Sequence, residues 1–116
     1  LLDPPIVIDS LEFSYLLRLV DPFDELSDLA LECAMIDATW VGQRIFDGCA
    51  EALRDVHSTA LLYVYWTYRA CVRARLAHAQ LLDPHPRTPE KWAPLARQYI
   101  RLAQSRELKP ALRAVP

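Results

Sequence analysis

Residues 58–82 read STALLYVYWTYRACVRARLAHAQLL. Ser58 is a favoured helix N-cap, and behind it Leu61, Tyr65, Tyr68, Val72, Leu76 and Ala79 recur at three- and four-residue spacings. At 100° per residue these six fall within roughly 80° of one another, so the stretch predicts one long helix from Ser58 to about Leu82. Asp83-Pro84-His85-Pro86 stops it. Thr88 followed by Pro89 then starts a further helix, with Thr88 as cap and proline at the first helical position. Leu95, Gln98 or Tyr99, Leu102 and Ala103 carry that helix to about Gln104, and the tail from Ser105 reads as a short helical turn followed by frayed chain.

Upstream of residue 58 the pattern is also helical. Asp21-Pro22 is a start signal, and Ser27-Asp28 offers a second cap six residues later. Leu26, Leu29, Cys33, Ile36 and Trp40 make one apolar stripe, which predicts a helix from about 27 to 38 and a break between Asp37 and Gly42. Ile45, Cys49, Ala52, Leu53 and Val56 form the next stripe, opposed by Arg44, Asp47, Glu51 and Arg54, and that helix is expected to end near Asp55. The opening LLDPPIVID differs. Its two apolar stretches around Asp3-Pro4-Pro5 read as a β-hairpin with a truncated first strand, and β-branched Ile6, Val7 and Ile8 deliver Asp9 to a strand end. The expected organisation is a single, partial, mainly α domain over 1–116: a hairpin remnant at 1–9, four helices within 21–104, and a tail at 105–116.

Composition narrows the function classes. The chain has 116 residues, 53% of them apolar, enough for one buried core. Thirteen basic against fifteen acidic side chains leave a net charge of −2, without the basic surplus that non-specific nucleic-acid binding uses. Only two glycines occur, Gly42 and Gly48, too few and too scattered for a phosphate-cradling loop. Cys33, Cys49 and Cys71 are odd in number and lack CxxC spacing, which points to a reducing cytosol and to free cysteines packed as small core residues. The most apolar run, Ala60 to Tyr68, is far below the roughly 20 residues of a membrane-spanning helix. With Leu1 first and Met35 the only methionine, the sequence reads as a piece of something longer.

Few residues invite chemistry. Asp9 at the end of a buried strand needs a compensating partner, either a metal ion or backbone N–H groups of the following loop. Glu12 is placed to assist a metal or to pair with Arg18. Arg69 and Arg73, four apart on one helix face, with Arg75 nearby, read either as an anion-recognising patch or as structural arginines. In the second case they pair with Glu12, Asp21 and Asp28 or pack on aromatic rings. His57, His78 and His85 are too scattered for a metal site or a catalytic dyad.

The longer strings add a resemblance. VIDSLEF, then Leu17-Arg18, then VDPFDELSDLAL, then YRACVRARLA are together similar to the C-terminal lobe of the aminoglycoside phosphotransferase-like kinases. The likeness is nearest to an uncharacterised bacterial branch with an FDxIEF segment and a YRAxVRAK helix, and it covers residues 1 to about 104. It implies a kinase-like fold and ATP-dependent phosphoryl transfer with Mg²⁺. By the same resemblance Asp9 is the metal ligand, and Asp28 is the aspartate at a helix start that braces the catalytic loop. The family's H-x-D-x-x-x-x-N segment, N-terminal lobe and phosphate-holding lysine have no counterpart here. The isolated chain is therefore expected to hold no catalytic or cofactor-binding residue of its own and to be inactive.

The expected partners are a small-molecule acceptor and the missing N-terminal part of the same polypeptide, with self-association left open and neither nucleic acid nor membrane involved. Three arginines without an acid between Ser58 and Leu82 disfavour a polycationic acceptor if that face lines the acceptor site. The competing reading is a stand-alone helical bundle that acts as a protein–protein interaction module, its aromatic helix docking a partner and Asp9 merely structural.

Overall fold

Asp21 sets the first long helix. In the computed structural model, which describes residues 15–55 and 58–105, its carboxylate accepts from the Phe23 N–H at 2.9 Å. Proline at the first helical position supplies the required φ and lacks only an N–H that would be unpaired there anyway. Helix α2 therefore runs Pro22–Met35, preceded by a single turn, α1, at Tyr15–Arg18. The start expected at residue 27 is corrected. Ser27 is wholly buried inside α2, and its hydroxyl donates back to the Phe23 carbonyl at 2.6 Å instead of capping. Asp28 consequently lies in the second turn and not at a helix start.

The other boundaries follow local chemistry closely. Asp37 takes a left-handed conformation (φ 59°) in the expected break, and α3 runs Thr39–Leu53 to a left-handed Arg54. Ser58 accepts from the Leu61 N–H at 3.2 Å and opens α4, Thr59–Ala79, which tightens into a 3₁₀ turn at Gln80–Leu82. Helix α5 is Pro89–Gln104; Thr88 precedes it as expected, but with φ 48° its side chain makes no capping bond. Among the described residues every regular element is helical. The hairpin read at 1–9 and the tail from Arg106 lie outside the described residues, as do Asp9, Glu12 and His57.

Packing runs in the order α3, α2, α4, α5. The Phe23 and Phe46 rings stack at 6.3 Å and Gly42 abuts Ala30, so α2 and α3 are antiparallel. Trp66, 1% exposed, donates its indole N–H to the Leu102 carbonyl at 3.1 Å and joins α4 to an antiparallel α5. The core is Phe23, Ala30, Leu31, Phe46, Leu62, Trp66, Ala70, Ala74, Tyr99 and Ala103.

The buried faces differ from those expected. Leu29, Ile36, Trp40, Leu53, Tyr68 and Leu76, all on the expected stripes, are exposed. On α4 the buried line is instead Leu62, Trp66, Ala70, Ala74 and Ala77. The first half of α4 is apolar all round, so large side chains alone do not select a face. Close approach of neighbouring helices does, and it favours alanines flanked by one tryptophan. On α3 the same logic buries Gly42 and Phe46.

Candidate functional site

Acidic residues at 24, 28 and 32 recur every four positions on α2, and arginines at 69 and 73 do the same on α4. Four-residue spacing keeps each set on one helix face, so two parallel helices in register can pair them rung by rung. This is what forms. Arg69 grips Asp24 through both ends of its fork, Nε to Oδ1 at 2.9 Å and a terminal nitrogen to Oδ2 at 2.8 Å. Arg73 holds Asp28 in the same way at 3.0 and 2.7 Å, and its Nε lies 3.3 Å from Glu32.

Tyrosines close the ladder at both ends. Tyr65 donates to Asp21 at 2.8 Å, and Tyr99, arriving from α5, donates to Glu32 at 2.8 Å. One polar seam thus ties α2, α4 and α5 together around the tryptophan core. Its electrostatics are those of satisfied pairs. The Asp24 carboxylate raises the Arg69 guanidinium above its ordinary pKa against the opposing cost of burial, and Asp28 does the same for Arg73. Tyr99 is pushed up to about 12, first by burial and then by its bond to Glu32, while Tyr65 is raised chiefly by its bond to Asp21.

The arrangement gives Arg69 and Arg73 the carboxylate partners of the structural reading. Both guanidinia are held by carboxylates, so neither is a free cation in this structure. Among the described residues the partners differ in part from those expected: Asp28 is one, Asp24 and Glu32 join it, and Asp21 accepts from Tyr65 instead; Glu12 lies outside the described residues. The missed signal was the 24/28/32 spacing, which matches 69/73. Asp28, assigned by resemblance to brace a catalytic loop, has both carboxylate oxygens on Arg73.

No group of three metal-ligating side chains occurs among the described residues, and the carboxylates that do cluster are bound by arginine. They do not fit a magnesium ion, which takes oxygen ligands free of competing cations. His78 and His85 are exposed and apart from the seam. Cys33 and Cys49 are half-buried, Cys49 against the core; burial first, then Asp21 and Asp55, raises the Cys49 thiol. Cys71, read as a core residue, is exposed because α4 turns that face outward. Among the described residues no helix is long and apolar enough to cross a membrane. Comparison with known proteins returns no matching family model, no similar curated protein and no similar solved structure.

Proposed function

We propose that this chain is the helical C-terminal part of a kinase-like small-molecule phosphotransferase, which transfers phosphate from ATP only in a larger polypeptide. One observation supports the reading. The two strings that resemble the phosphotransferase-like kinases, VDPFDELSDLAL and YRACVRARLA, are locked together by the Arg69–Asp24 and Arg73–Asp28 pairs, each spanning 45 residues of sequence. In a lobe of this kind such a lock holds the helical platform against which a catalytic loop and a metal-binding strand are positioned. Asp9 is the proposed metal ligand, with Glu12 beside it. Asp28 acts on the upstream loop through the α2–α4 unit, since Arg73 takes its carboxylate. The acceptor is a small molecule that this part of the chain does not specify.

The test is the reading frame upstream of Leu1 together with one variant. An H-x-D-x-x-x-x-N segment within about fifteen residues is expected, and Asp9→Ala in that longer protein is expected to reduce ATP-dependent transfer by about a thousandfold or more. A start codon directly before Leu1, or near-normal turnover in the variant, refutes the assignment.

A further inference from the structure

On the side of α4 turned away from the ladder, an open trough of about 640 Å³ runs between α4 and α5. Cys71 and Arg75 follow Arg69 and Arg73 by two residues, about 200° around the helix, which places them on the opposite flank. The exposed lining is almost wholly apolar, with Ala74, Ala93 and Ile100 among the contributing side chains. Its two banks are cationic: Arg75 on α4, and Arg97 and Arg101 one turn apart on α5. Among the described residues no acidic side chain lines it. Unlike Arg69 and Arg73, none of these three arginines has a carboxylate partner among the described residues. Arg97 only donates to the Ala93 carbonyl of its own helix at 3.2 Å.

The same face of α4 continues beyond the trough. Val64, Tyr68, Cys71 and Arg75 fall at i, i+4, i+7 and i+11, and Val64 and Tyr68 are 59% and 58% exposed. From Val64 to His78 the track is about 21 Å long, or about four helical turns. A small anion does not need such length, and a small-ligand site encloses most of its ligand, which an open trough does not do. The chain's own residues after Ser105 have the wrong sign for this surface, with Arg106, Lys109 and Arg113 against Glu107.

We propose that this trough, extended along Tyr68 and Val64, docks an amphipathic helix of a partner protein that carries acidic residues on both sides of its apolar seam. The seam lies along the apolar track, and the flanking carboxylates meet Arg75 on one bank and Arg97 and Arg101 on the other. The proposal does not depend on phosphoryl transfer.

The experiment uses the 116-residue chain and a fluorescein-labelled designed peptide of about four turns, leucine at the seam and glutamate on both flanks, read by fluorescence anisotropy. Saturable binding that weakens with added salt is expected. The Arg97→Glu/Arg101→Glu variant is expected to lose about tenfold or more in affinity, and Arg97→Gln/Arg101→Gln an intermediate amount. All four side-chain changes are at exposed positions, and far-UV circular dichroism checks that the helices persist. Arg44→Glu/Arg54→Glu, an equal charge change on α3 and its C-cap, is expected to leave binding unchanged. Absence of binding, equal loss in the α3 variant, or equal affinity for a scrambled peptide of the same composition overturns the proposal. Tighter binding of dodecyl phosphate at the same arginines also overturns it, by making the trough a site for small amphiphilic anions.

Discussion

Removing Arg69 isolates the contribution of the ladder. The Arg69 and Asp24 side chains are 24% and 18% exposed, so truncation to alanine strands a carboxylate about four-fifths withdrawn from water. Breaking a fully buried pair costs about 3–5 kcal/mol and an exposed one about 0–1 kcal/mol. Asp24 lies in the first turn of α2, where the helix N-terminus already favours negative charge and softens the loss. Arg69→Ala is thus expected to destabilise by about 2 kcal/mol. Arg73→Ala is expected to cost about 1 kcal/mol, since Arg73 and Asp28 are 38% and 26% exposed and solvent screens the orphaned charges. The decisive measurement is a double-mutant cycle on Asp24→Ala and Arg69→Ala, by urea unfolding followed through circular dichroism. A coupling of about 1–2 kcal/mol is expected, because each single variant strands the other's charge and the double variant strands none. A coupling below about 0.3 kcal/mol would show that apolar packing alone sets the register of α2 on α4.

Two further outcomes follow from the geometry. Gly42→Ala and Gly48→Ala should have opposite signs: a Cβ at 42 falls 2.9 Å from the Ala30 Cβ, whereas one at 48 meets nothing within 4 Å. Thermal melts should show the first destabilised by about 1–3 kcal/mol and the second stabilised by up to about 1 kcal/mol from helix propensity. In alkali, the Tyr99 phenol, pushed up to about 12 by burial and its bond to Glu32, loses its proton later in the folded protein than in the unfolded chain, where it keeps its ordinary value of 10.0. Its contribution is therefore complete below pH 10 and lost as pH rises toward about 12. Unfolding titrations should show stability falling across that window, and Tyr99→Phe should flatten the fall.

Helix boundaries were legible locally. Asp21-Pro22, the break before Thr39, Ser58 and Thr88-Pro89 act through their own backbone and the next turn, so nothing distant is needed to recognise them. Ser27 was misread because a serine offers the same signal at a cap and at a back-bonded buried site, and only the prior start at Pro22 separates the two.

The sequence by itself determined the number and approximate extent of the long helices. What it left open was which side of each helix faces inward. That choice belongs to pairs of helices. Trp66 and the alanines of α4 are buried because α2 and α5 come close there, and Tyr68 and Leu76, equally apolar, remain outside. Arg69 and Arg73 looked alike whether free or paired until the parallel alignment of α2 and α4 brought Asp24, Asp28 and Glu32 within reach. Hydrophobic burial is non-directional and tolerates several rotations of an all-round apolar helix; close packing and the short reach of charge-assisted hydrogen bonds do not, and both arise only in the tertiary structure.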